Sequence, residues 1–348
     1  QVARWYYNIS LRVRNAVLTD HAKSDIYLVF YLQVHRHGDR TPTESSVSFS
    51  DDPETLAKYS QRYGYGQLTD AGKRTSYKIG EFIRRRYNKL LSPQYNKSDI
   101  YIRSTDSTRA KMTVLTAMAA VYPPGRSRWN ATLDWTPVPY TTVPMKNDFV
   151  GTFFMLQVTI GDRNPLAIVS AYDVFLSQMS LGMPLNPTIK QLLPQIQKLA
   201  AMAWHYIFGD DLFLRHGAGV LLNEFYEYAN LIFSGENTPR VRVYSGHDIN
   251  VFTAMLIYNI PAQGVIKYGG TISLELRKVT ATGKYVVLPV FLKNPYEPEE
   301  YLQVTGCDLL CDFDQFYALT SHNALNETEW RSECGFSDDL ELDTSSID

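Results

Sequence analysis

The sequence lacks any long hydrophobic run. Its longest apolar stretches, residues 26–32 and 251–257, are sized for a strand or a core helix. Neither reaches the roughly 18 residues that span a membrane. It also lacks charge of one sign: 34 Lys and Arg stand against 36 Asp and Glu, for a net charge of −2. Bulk electrostatics therefore give no grip on nucleic acid or on an anionic membrane surface, and any anion site must be built locally. Cysteine is scarce. Cys307, Cys311 and Cys334 all lie near the end of the chain. No second Cys pair or His cluster accompanies the C-x3-C pair, which excludes a zinc site but would suit a small loop closed in an oxidising compartment. Repeats and low-complexity tracts are absent. What is present is an ordinary globular balance, 45% hydrophobic and 20% charged over 348 residues, which excludes wholesale disorder. The 24 tyrosines read as core and rim packing. Four N-x-S/T sequons, at Asn8, Asn96, Asn130 and Asn326, are glycosylation acceptors if the chain enters the secretory pathway.

Residues 26–34, IYLVFYLQV, form a nearly continuous run rich in β-branched and aromatic side chains, as a buried parallel strand requires. It ends at His35-Arg36-His37-Gly38. A helix is expected over 68–90, capped by Thr69 or Asp70, with Ile79, Phe82, Ile83 and Tyr87 on one face. A short strand is expected over 98–103, then a helix capped by Asp106 or Ser107 and stopped after Val121 by Tyr-Pro-Pro-Gly. Residues 122–145 lack periodicity and read as an extended excursion. Helical sequence over 184–234 carries expected interruptions at Pro194 and Gly209. A strand over 240–245 leads into Gly246-His247-Asp248 and an apolar helix, and two further strands flank Thr282-Gly283 as an antiparallel hairpin. The fold class is α/β: a mostly parallel sheet flanked by helices, with an inserted helical cap. The catalytic core takes residues 1–145 and 215–348, and the cap 146–214.

Ligands of such sheets bind beyond the carboxyl ends of the strands. Three of the expected strands end there in Arg36 and His37, in Arg103, and in His247 and Asp248. Singly, a His beside an Arg is usually a solvated pair, and Ser-Gly-His-Asp is usually a turn. Converging at three strand ends, they suit phosphoryl transfer without a metal. Arginine forks at Arg36, Arg40 and Arg103 would neutralise phosphate oxygens. His37 would attack as the neutral imidazole, His247 would add a donor, and Asp248 would protonate the leaving oxygen.

The run His35-Arg36-His37-Gly38-Asp39-Arg40-Thr41-Pro42 carries the R-H-G-x-R-x-P signature of the histidine acid phosphatases, and the chain order continues with Arg103 and with His247-Asp248. Gln67-Leu68-Thr69 with Gly72 resembles the family's Q-L-T-x-x-G helix start. The chain is thus similar to animal secreted and lysosomal acid phosphatases, insect venom enzymes included. The resemblance implies a phosphoric monoester hydrolase working through a phosphohistidine on His37. Asp248 would be the proton donor, and Arg36, Arg40, Arg103 and His247 the phosphate clamp. It further implies a Cys307–Cys311 disulfide, no metal or cofactor, and a secreted or lysosomal location. Substrates would be small phosphate monoesters, with phosphoproteins and a homodimer as open alternatives. Residues 149–178 depart from the family pattern, which makes the cap look shortened. The alternative readings are a phytase or inositol-polyphosphate phosphatase, and a secreted inactive binding protein on the same fold.

Overall fold

The computed structural model of the protein describes residues 26–125, 128–144, 148, 165–262 and 264–335. The sequon at Asn8, the start of the cap region and residues 149–164 lie outside the described residues. In chain order the elements are β1 (Ile26–Arg36), α1 (Pro53–Ser60), α2 (Asp70–Tyr87), β2 (Ile100–Ser104), α3 (Thr108–Val121), α4 (Leu166–Ser180), α5 (Pro187–Phe208), α6 (Asp211–Phe233), β3 (Val241–Gly246), α7 (Asp248–Ile257), β4 (Thr271–Val279), β5 (Tyr285–Leu292), β6 (Glu300–Tyr301), β7 (Cys311–Asp312), α8 (Phe313–Thr320) and α9 (Glu327–Glu333). No described helix is long and apolar enough to cross a membrane.

The sheet is mixed, in the order β2-β3-β1-β4-β5-β6, with β7 also on β5. β2 and β1 flank β3 in parallel, and the β4–β5 hairpin extends the sheet antiparallel from β1. β1 is central and buried on both faces, which is why its sequence does not alternate. Phe30, Leu32 and Val34 pack with Leu221 and Phe225 of α6 and with Val251 and Phe252 of α7. On the other face Tyr31 packs with Ile79, Phe82 and Ile83 of α2 and Val114 and Ala117 of α3. Full burial of each such side chain contributes about 1.5–3 kcal/mol. These two layers fix the height at which the three parallel strands end. Arg36 pairs with Gly246, and Arg103 with Tyr244, two positions earlier on β3.

The loop leaving β1 is pressed onto the first turn of α2. A Cβ on Gly38 would sit 2.2 Å from the Gly72 carbonyl oxygen, and one on Gly72 would sit 2.0 Å from that of Asp39. Both positions therefore require glycine. Thr69 Oγ1 accepts from the Gly72 amide at 3.0 Å and starts the helix. Ser107 stands at the start of α3, where its side chain makes no capping hydrogen bond.

The helical stretch after β2 differs from expectation in two ways. Pro194 does not interrupt α5, which runs unbroken from Pro187 to Phe208 and stops at Gly209. Pro194 is exposed, so the Lys190 carbonyl it cannot serve is open to water, while Ala200, Ala203, Trp204 and Ile207 bury the helix's other end. The second difference is α4. It lies in the segment that departs from the family pattern, and it brings a charged residue to the strand ends. At the far end of the chain Cys307 and Cys311 are joined by a disulfide, and Cys334 is a free thiol.

Candidate active site

His37 follows directly on β1. Its amide donates to the Gly246 carbonyl at 2.9 Å and its carbonyl accepts from the Gly269 amide at 3.1 Å, so the exit of β1 is tied to the end of β3 and to the loop before β4. The ring is buried. Its Nδ1 lies 2.8 Å from the Gly38 carbonyl oxygen. A carbonyl only accepts, so Nδ1 carries the hydrogen and Nε2 keeps the lone pair. Burial holds the imidazole well below its ordinary pKa, and the charges of Arg109 and Arg36, then His247 and Arg40, push the same way. His37 is thus a neutral imidazole whose Nε2 carries the free lone pair.

His247 stands edge-on to it, ring centroids 5.5 Å apart. Its Nε2 is 3.1 Å from Thr105 Oγ1, and its amide donates to Asn250 Oδ1 at 2.9 Å. Burial and then Arg109, Arg36 and Arg40 also hold this ring well below its ordinary pKa. Asp248 opens α7, with Oδ2 3.0 Å from Arg36 Nη2. Tyr268 closes the opposite side, with Arg36 4.2 Å over its ring and its own ring 5.8 Å from that of His37.

Arg36 and Arg40 each anchor one nitrogen to the backbone. Arg36 Nη1 donates to the Ile266 carbonyl at 2.6 Å, and Arg40 Nη1 to the Thr41 carbonyl at 2.8 Å. Their Nη2 atoms converge on one carboxylate, Asp173 of α4, at 3.0 and 2.7 Å. Their Nε atoms are buried with no hydrogen-bond partner. Burial alone would raise the Asp173 pKa, but Arg40 and Arg36 outweigh it and hold the carboxyl below its usual range.

Arg103 does not join this group. Side chains alternate along β2: Ile100 and Ile102 enter the layer beneath α2 and α3, while Tyr101 packs in the layer of α6. Arg103 shares the Tyr101 side, where its charge acts on Tyr101 and on Glu224 of α6. Its Nη2 donates to the buried Asp148 at 2.8 Å. The arginine that bears on His37 and His247 is Arg109, buried in the first turn of α3. Six positions separate the two in Arg-Ser-Thr-Asp-Ser-Thr-Arg. The signal that favours Arg109 is its place on a helix N-terminus beyond a parallel strand, where anions are received. Asp173 and Tyr268 had no motif to mark them. Among the described residues no group of three or more His, Cys, Asp or Glu is arranged to hold a metal ion. The other three sequons lie within the description. Asn96 and Asn326 are exposed and Asn130 is partly so.

The histidine phosphatase superfamily (branch 2) matches the chain over residues 28–156. Bovine prostatic acid phosphatase is 28% identical over 88% of this chain and 87% of its own length. Human prostatic acid phosphatase is 27% identical over 88% of each. Bovine lysosomal acid phosphatase is 25% identical over 88% of this chain and 80% of its own length. Among solved structures, the apo phytase of Hafnia alvei superposes with a TM-score of 0.63 at 15% identity, covering 88% of this chain and 99% of that one. At that identity the likeness speaks for the fold alone. The superfamily match begins in β1 and takes in the His37 loop, and the relatives extend the likeness across the strand that delivers His247 and Asp248; over that span the chain is similar to the histidine phosphatase superfamily, branch 2, and to its acid phosphatases.

Proposed function

We propose that the chain is an acid phosphatase that hydrolyses phosphate monoesters through a phosphohistidine on His37. The observation that carries this is the His37 ring. It is neutral, its Nδ1 hydrogen is committed to Gly38, and the charges of Arg109, Arg36 and Arg40 bear on it. Nε2 would attack phosphorus in line, displacing the ester oxygen. Arg36 and Arg40, through their unpartnered Nε atoms, would hold the equatorial oxygens with Arg109 and His247. Asp248 would give its proton to the leaving oxygen, then take one from the water that cleaves the phosphohistidine. Phosphoproteins present the same monoester as small substrates and belong to the same proposal. Residues 146–214, which include α4 and α5, would form the cap over the site. A secreted or lysosomal location agrees with the prostatic and lysosomal relatives and with a disulfide in the chain.

Rapid quenching with a radiolabelled aryl phosphate should trap one acid-labile, base-stable phosphoryl group per chain. His37→Ala should trap none and retain under about 0.1% of turnover, because the other imidazole at the strand ends, His247, has its Nε2 engaged by Thr105. A variant that keeps several per cent of activity would rule out the covalent route.

A further inference from the structure

One carboxylate in the site has no part in the chemistry above. Asp173 spans the two arginines that would grip phosphate, Oδ1 on Arg36 Nη2 at 3.0 Å and Oδ2 on Arg40 Nη2 at 2.7 Å. Two oxygens of one phosphate could be held by the same two forks. The arginines do not need Asp173 to stay in place. Each has a backbone carbonyl on its Nη1, and Arg36 also lies over the Tyr268 ring. What Asp173 adds is therefore charge. Groups of both signs face it: Arg36 and Arg40 from the end of β1 and its loop, Tyr268 from the loop before β4, and Asp248 of α7 across Arg36. The Tyr268 hydroxyl also meets Ser177 Oγ on α4 at 3.1 Å, which fixes the helix that presents Asp173. The Asp173 side chain keeps 18% of its surface exposed, so it stands at the solvent side of a pair that is otherwise nearly enclosed.

We propose that Asp173 is a resident counter-ion that competes with phosphate for Arg36 and Arg40, and so sets how loosely the site holds its product. This rests on the reading of the site as a phosphate cradle. Two carboxylates, Asp173 and Asp248, share Arg36 before any ligand arrives. An incoming phosphate must displace or share these contacts. Without Asp173 the two buried cations would share only Asp248, on Arg36, and the phosphate would supply the missing charge. Substrate and product would both bind more tightly. Tight product binding slows release, so tighter binding would lower kcat as it lowers KM.

The test compares wild type, Asp173→Asn, Asp173→Ser and Asp173→Glu, using inorganic phosphate as the probe. Asp173→Asn keeps the shape and loses the charge. Its inhibition constant for phosphate should fall at least tenfold, with KM and kcat both reduced. Asp173→Ser, which leaves room in the same place, should behave alike and serves if the Asn variant fails to fold. Asp173→Glu keeps the charge and should stay within about threefold of wild type. The rise in Tm produced by phosphate should follow the same order, independently of turnover. Unchanged or weaker phosphate affinity in folded Asn and Ser variants would overturn the proposal, weaker binding meaning that the carboxylate positions the forks. Wild type that binds no phosphate would instead remove the cradle reading itself.

Discussion

Arg109→Gln and Arg103→Gln should fail in different ways. Arg109 is buried at the start of α3 and is the charge that acts most strongly on both His37 and His247. Removing a preorganised donor from a water-excluded site typically lowers kcat by about 10²–10³. Arg109→Gln should fall in that range on an aryl phosphate. The loss should deepen at low pH. Arg109 helps to keep His37 neutral, so without it the His37 pKa moves up and the protonated, inert form gains population as pH falls. Arg103, by contrast, donates to Asp148, whose side chain is fully buried. Taking one partner from a buried ion pair costs about 3–5 kcal/mol. For a chain of this size that is a fall in Tm of roughly 4–7 °C. Folded Arg103→Gln should keep kcat/KM within a few-fold of wild type, and adding Asp148→Asn should restore much of the lost Tm. Steady-state kinetics and differential scanning fluorimetry on the three proteins decide the matter. An Arg103→Gln chain with unchanged Tm and a hundredfold loss of kcat/KM would refute the assignment of the two arginines.

Asp248→Asn should lose most activity on an alkyl monoester, whose leaving oxygen needs a proton, and much less on an aryl one. Equal fractional losses on both substrates would move the proton donor elsewhere. A separate pH effect comes from His35, fully buried on β1 with its pKa lowered by burial to about 3. The unfolded chain protonates this ring near pH 6.5 and the folded chain does not, so its contribution to stability is whole above that pH and drains away as pH falls toward 3. Between pH 6.5 and 5 the loss is about 2 kcal/mol from this residue alone. Denaturant unfolding of His35→Gln should show a correspondingly shallower pH dependence over that interval, and an unaltered slope would show that His35 titrates alike in both states.

Much of this site is legible because it is local. Arg36, His37 and Arg40 lie within one turn, and the glycines that let that turn meet α2 are in the same run of sequence. His247 and Asp248 are legible for the same reason: an alternating strand ends where they begin. Arg103 misleads because the direction of its side chain is set by the pleat. The β2 residues beside it, Ile100, Tyr101 and Ile102, are all apolar or aromatic, so the sequence does not say which face meets α3 and which meets α6. Only the packed sheet decides that Ile102 goes one way and Arg103 the other. Arg109 is then the arginine left on the side of His37. Asp173 was illegible for a deeper reason. Its partners, Arg36 and Arg40, lie 137 and 133 residues earlier, and nothing around Tyr-Asp-Val on a helix announces a charge that faces inward. A motif records what a site needs in order to react. A counter-ion that weakens the grip on phosphate follows from charge balance in the folded chain, and becomes visible only when both arginines are found already occupied.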